Sequence, residues 1–179
     1  AKTAQGVAAW RPEWCVGQFR LPDCKADVGI KDVDIDEAVA LGAKTLVIGV
    51  VNSGGFLPDS WTDAICHGLE VGLDVASGLH GRLQSFPRIN AAAEKHGRSL
   101  HNVRQSEHEF TTGKGHKRPG KRLLTVGTDC SCGKKYTALA IEKAMRARGM
   151  DADFRATGQT GVLIAERGVA IDAVVADFI

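Results

Sequence analysis

Residues 124–149 read LTVGTDCSCGKKYTALAIEKAMRARG. An apolar stretch, Arg122 to Gly127, runs into a glycine-bounded turn and then into a segment with helical periodicity from about Gly133 to Arg148. Ala138, Leu139, Ile141, Ala144 and Met145 fall on one face of that segment. Strand, glycine-rich turn and helix together form an anion site, because successive backbone N–H groups converge and the helix N-terminus adds partial positive charge. The expected ligand contacts are Gly127, Thr128, Asp129, Cys130, Ser131, Cys132, Gly133, Lys134, Lys135 and Thr137. Lys134 would fold back over the phosphates as a point charge.

The loop departs from the nucleotide-binding pattern G-x-x-x-x-G-K-[ST]. Thr128 replaces the first glycine, with Gly127 one step earlier, and Lys135 replaces the hydroxyl residue that holds magnesium. Thr137 supplies a hydroxyl two residues on, turned roughly 200° around the helix. Two adjacent lysines favour a polyphosphate neutralised by the protein, such as the diphosphate of coenzyme A. Mg-ATP is the alternative. Asp129 either holds a metal or a substrate ammonium, or turns the loop. Cys130 and Cys132 are either activated thiols near a helix start or small residues that fit a tight turn.

Working outward, residues 106–121, SEHEFTTGKGHKRPGK, contain almost no apolar side chain and read as a linker or loop. Before it, helical and strand patterns alternate. Helices are expected over Lys2–Trp10, Asp34–Ala43, Ser60–Gly72 and Phe86–Gly97, and strands over Glu13–Leu21, Lys44–Val51, Leu73–Leu79 and Arg98–Gln105. The continuous apolar run KTLVIGVV suits a parallel sheet covered on both faces. After the phosphate loop, MDADFRATG is expected to supply another strand. The fold class is α/β, with a Rossmann-like parallel-sheet domain over 1–105, a linker over 106–120 and a P-loop NTPase-like domain over 121–179. Two or three strands do not cover both faces of their own sheet, and the run AVVADFI stops without a cap, so the second domain is expected to be incomplete and to continue beyond Ile179.

Composition excludes several classes. Lys and Arg total 23 against 21 for Asp and Glu, so a net charge of +2 gives no general electrostatic case for nucleic acid. No apolar run approaches the roughly 20 residues that span a bilayer, so no membrane role is expected. The five cysteines, Cys15, Cys24, Cys66, Cys130 and Cys132, form no paired Cys-x-x-Cys units and suit a reduced, cytoplasmic setting. His101, His108 and His116 match no ligand spacing, and no metal site is expected.

Substrate residues are sought where loops leave strands, since open α/β sheets bind ligands at their carboxyl edge. Gly158, Gln159, Thr160 and Gly161 in ATGQTG offer donors to a carboxylate or carbonyl. Asn52, Ser53, Gly54 and Gly55 either bind a ligand or face the other domain. The missing G-x-G-x-x-G weakens any claim to a nicotinamide cofactor. His80 is either a general base or a structural histidine; one of Asp172 and Asp177 is a candidate for orienting an amine or a metal, with capping of the terminal segment the alternative for Asp172.

VGTDC, ATGQTG and DAVVADF in the second half, with AKTAQG, EAVALGAKTLVIGV, GGFLP and GLDVASGLH in the first, carry a resemblance over nearly the whole chain. The sequence resembles the D-glutamate N-acetyltransferase family, and more distantly dethiobiotin synthetase. The first resemblance implies a Rossmann-like and a P-loop domain, acetyl-CoA as co-substrate and an amino acid, D-glutamate, as acceptor. A homo-oligomer and a place in D-amino-acid metabolism are further expectations. The more distant resemblance implies an ATP-dependent ligase or kinase. The family's loop typically reads G-K-M-T-T, whereas residues 133–137 read GKKYT, so Lys135 and Tyr136 depart from it and Thr137 keeps its last threonine.

Overall fold

The structure is a computed structural model that describes residues 1–50, 56–106, 110–111, 114–117, 119–129 and 132–175. The backbone divides into two compact units, Ala1–Gln105 and Ser106–Ile179.

The first unit is built on three parallel strands in the order β1 (Thr45–Ile48), β2 (Asp74–Ser77) and β3 (Leu100–Asn102). Thr45 pairs with Asp74 and Val75 with Leu100, so each strand lies beside the next in sequence. The crossover between β1 and β2 is helix α3 (Asp59–Glu70), and that between β2 and β3 is α4 (Pro87–His96). Each crossover supplies the length that a parallel pair requires. Pro87 sits in the first turn of α4, where its missing N–H costs no helical bond. Helix α2 (Ile35–Ala40) starts because Asp34 accepts a 2.6 Å hydrogen bond from the Glu37 N–H.

Apolar residues of α3, α4 and β2 meet in one core. Leu57, Ile65, Leu69, Val75, Leu79, Leu83, Ile89 and Ala93 are buried together, and Leu46, Ile48 and Leu100 pack against them. Each fully buried Leu or Ile contributes about 2 kcal/mol of transfer free energy. Helix α1 (Lys2–Trp10) rests on the end of β1: the Ala4 N–H donates to the Gly49 carbonyl at 3.2 Å.

The strand expected over Glu13–Leu21 does not form. Pro12–Trp14 make a 3-10 turn, and the chain beyond it has one parallel bridge, Gln18 with Asp32. The Gln18 side chain spans this connection, donating to Asp27 Oδ1 and the Ile30 carbonyl, each at 2.9 Å, while Oε1 accepts from the Val28 N–H. Backbone that would enter a ladder is satisfied locally instead.

The second unit is helical where it is regular, with α5 (Lys134–Ala147), α6 (Gln159–Ala165) and α7 (Ile171–Val175). Residues 122–127 form no strand, and Leu123, Leu124 and Val126 are 70%, 75% and 78% exposed, against the expectation of a buried one. A strand exists only as part of a ladder, and among the described residues no strand pairs with this segment. The segment expected as a strand before Gly158 has a single bridge, Ala156 with Gly168. On the α5 face, Leu139 alone among the five expected apolar positions is fully buried. Among the described residues no helix is long and apolar enough to cross a membrane.

Candidate functional site

The phosphate loop closes on its own lysine. Gly133 adopts φ +99°, a left-handed conformation that a side chain would strain, and serves as the N-cap of α5. The chain thereby turns straight into the helix, and Lys134 is its first residue. Lys134 Nζ folds back to donate to the Asp129 carbonyl and lies 3.5 Å from Cys132 Sγ. Cys132 Sγ also contacts the Asp129 carbonyl at 3.2 Å. The ammonium is thus held between the Asp129 carbonyl and the Cys132 sulfur. Thr125 ties the incoming segment to the helix start, its hydroxyl donating to the Lys134 carbonyl at 3.0 Å.

Gly127 is required for space. A Cβ at that position would lie 2.5 Å from Cys132 Sγ, closer than real contacts allow. Lys135 has a different contact, its Nζ lying 4.4 Å from the centroid of the Tyr136 ring. Such a cation–π contact gains most where water is excluded. Burial lowers the Lys135 pKa, consistent with its half-buried position. At Cys132, partial desolvation pushes the thiol up; the Asp129 backbone, the Lys134 ammonium and the Lys134 backbone together outweigh it and hold the thiol below its ordinary value.

The remaining expected contacts divide. Thr128 and Asp129 lie on the exposed outer part of the loop, while Cys130 and Ser131 fall outside the described residues. Thr137 is exposed, and its N–H donates to the Gly133 carbonyl as an ordinary helical bond. Gly158 is the N-cap of α6, with Gln159 and Thr160 in the first turn. Gly161 is buried, and a Cβ there would meet the Ala156 Cβ at 2.9 Å, so packing against Ala156 requires a glycine at this position. Asn52, Ser53, Gly54, Gly55 and Asp177, as well as the side chain of Asp172, lie outside the described residues.

In the first unit, His80 follows the end of β2 and its side chain is exposed. Its carbonyl accepts from Gln105 Nε2 at 2.7 Å, which fixes the backbone there and leaves the ring pointing to solvent. A surface depression of about 520 Å3 is lined by Phe19, Arg20, Asp32, Asp34 and Glu37 among others. Three of its carboxylates are already engaged: Arg20 holds Asp32, Asp34 caps α2 and Lys31 pairs with Glu37. Three features escaped the reading of the sequence: the Thr125 tie, the Tyr136 platform and the Gly127 steric limit. The Lys-Tyr adjacency was the one visible signal for the second.

Comparison with known proteins runs along the same division of the chain. Residues 20–106 match the family model described as domain of unknown function (DUF1611_N), Rossmann-like domain, and residues 109–179 match the domain of unknown function (DUF1611_C), P-loop domain. The chain is 51% identical over 178 residues to a D-glutamate N-acetyltransferase from Pseudoalteromonas sp, and 52% identical over 178 residues to one from Tritonibacter scottomollicae. Both matches cover 99% of this chain and 54% of the relative, so the chain spans about half the length of the curated relatives it matches. A crystal structure of a DUF1611 family protein from Anabaena variabilis superposes with a TM-score of 0.71 at 36% identity, covering 83% of this chain and 44% of that one. With the Rossmann-like and P-loop models falling on successive halves, the chain belongs to the DUF1611 family.

Proposed function

We propose that this chain takes part in an amino-acid N-acetyltransferase that moves an acetyl group from acetyl-CoA to the amine of D-glutamate. One observation carries the reading: Lys134 opens a 14-residue helix capped by Gly133 at φ +99° and folds its ammonium back to the Asp129 carbonyl, so that a cation and a helix start are joined in the manner that receives an anion. The name printed for the two relatives at 51% and 52% identity supports the choice of acetyl donor and acceptor.

In this reading the loop amides with Lys134 and Lys135 hold the diphosphate of the co-substrate. The Gln159 side-chain amide and the Thr160 hydroxyl receive the acceptor's carboxylate. The acceptor nitrogen forms a bond to the acetyl carbon as the thioester C–S bond breaks, and the departing thiolate ends with a proton. Ammonium groups and oriented N–H donors stabilise the oxyanion that develops between these events. The proton that the thiolate gains comes from the acceptor's amine. The assembly works in the cytoplasm as a homo-oligomer and serves D-amino-acid metabolism.

Titration calorimetry with acetyl-CoA tests the reading. Lys134→Ala should weaken binding roughly ten- to a hundredfold, the worth of a hydrogen bond to a charged group. Unchanged affinity in that variant would remove the loop from the co-substrate site.

A further inference from the structure

A phosphate loop of this fold implies a magnesium ion, held by the Ser or Thr hydroxyl after the lysine and bridging the phosphates. The described residues do not fit one. The position belongs to Lys135, whose ammonium lies over the Tyr136 ring. The next hydroxyl, Thr137, is two residues on and roughly 200° around the helix. The Asp129 carbonyl is taken by Lys134 Nζ. Among the described residues no group of three or more His, Cys, Asp or Glu gathers to hold a metal.

Charge explains why the exchange is possible. Magnesium at such a loop offsets phosphate charge, and an ammonium that reaches the same phosphates offsets one unit of it without a metal. The two cations of this chain are adjacent in sequence and so about 100° apart on the helix. Lys134 turns back over the loop, whereas Lys135 needs a support of its own, which the ring's negative face supplies. Burial disfavours the charged form of Lys135, and an anion seated beside it would reverse that pull.

We propose that Lys135, held by Tyr136, stands in for the divalent cation, so that the loop selects a diphosphate arriving without metal and discriminates against magnesium nucleotides. The proposal rests on the reading that this loop holds a diphosphate. Tyr136 is a positioning residue in it, acting through the Lys135 ammonium.

The test is calorimetric titration of the 179-residue chain with inorganic pyrophosphate and, separately, with coenzyme A, each in EDTA and in millimolar magnesium chloride. The wild-type chain should bind in EDTA, and magnesium should leave affinity unchanged or lower it. Lys135→Thr should bind about tenfold more weakly in EDTA and regain affinity with magnesium. Tyr136→Phe should match wild type, while Tyr136→Ala should lose affinity in the direction of Lys135→Met. Circular dichroism of each variant reports whether the fold is kept. Tightening of the wild type by magnesium, or metal-independent affinity retained in both Lys135→Thr and Lys135→Met, would overturn the proposal. Metal-free binding of pyrophosphate without binding of coenzyme A would keep it and defeat the acetyl-CoA reading. Binding of coenzyme A only with magnesium would do the reverse, and failure of both ligands to bind would defeat both.

Discussion

Lys134 Nζ lies 3.5 Å from Cys132 Sγ, so the cation expected to grip a phosphate is in contact with a thiol of its own loop. Lowering of the thiol's pKa raises the thiolate fraction at a given pH, and the thiolate is the nucleophile. Cys132 and Cys24 are both exposed, whereas burial raises Cys15 and Cys66. Iodoacetamide at neutral pH, with peptide mass mapping, should therefore label Cys132 severalfold faster than Cys24. Lys134→Ala should reduce that advantage without abolishing it, since the Asp129 backbone contact, the larger lowering influence, is kept. A bound diphosphate that draws Lys134 away should slow Cys132 as well. Equal rates at Cys132 and Cys24 in the wild type would show that the ammonium does not reach the sulfur in solution.

The Thr125 tie makes a separate prediction. Its hydroxyl donates to the Lys134 carbonyl at 3.0 Å and so links the segment before the loop to the helix after it. Thr125→Val keeps the shape and removes the donor, at a cost of about 1 kcal/mol if the carbonyl's other helical bond survives. Affinity for pyrophosphate should fall a few-fold while the far-ultraviolet spectrum is unchanged. Unaltered affinity would mean that the helix start is set by Gly133 alone.

How far the sequence disclosed the structure depended on whether local chemistry or distant pairing decided each element. Asp34 before an apolar-periodic run gave α2, and the pattern over Phe86–Gly97 gave α4, which starts at Pro87, because caps and first turns are settled by neighbours. The runs around Val47 and Val75 gave β1 and β2, since helices long enough for crossovers lay between them. Glu13–Leu21 misled because its apolar residues suit a strand, while the Gln18 side chain, reaching Asp27 and Ile30, takes the bonds that a ladder would use. Leu123, Leu124 and Val126 have the composition of a buried strand and no described strand to pair with, a matter that composition cannot decide. Within the site, the phosphate loop was legible as a motif. The grip of Lys134 on Asp129 and the seat of Lys135 on Tyr136 were not, because both depend on rotamers.

Acid should loosen the connection between Gln18 and Asp32 before it melts the core. The Arg20 side-chain hydrogen bond holds Asp32 below the ordinary carboxylate range, and bonds from Gln18 and the Gly29 N–H do the same for Asp27. A carboxylate with a depressed folded-state pKa adds stability above its unfolded value and loses it as pH falls through the folded one. The bonds should therefore persist at neutral and mildly acidic pH and fail below the ordinary carboxylate range. All three charged side chains are exposed, so the effect should stay local. Amide exchange read by NMR should show protection at Val28 and Gly29 falling in that window while Val75 stays protected. Simultaneous loss at Val28 and Val75 would contradict a local event.

Gly127 and Cys132 should be energetically coupled. A methyl at Gly127 meets Cys132 Sγ at 2.5 Å, whereas the next nearest atoms, the Lys134 Cδ and Cγ, lie at 3.4 Å, at the edge of ordinary contact. The clash therefore belongs mainly to one atom. Gly127→Ala alone must push the sulfur out of the loop bend and disturb Lys134, lowering pyrophosphate affinity about tenfold, in line with overpacking costs of about 1 to 3 kcal/mol. Cys132→Ala alone opens space and removes a weak contact of the ammonium, so its own effect should be small. Combined, the two substitutions should give affinity close to that of Cys132→Ala, because the methyl then enters space the sulfur has left. A double-mutant cycle reads this as a coupling energy of the same size as the single-variant loss. Additive losses would place the constraint on Gly127 in its backbone rather than in the sulfur beside it.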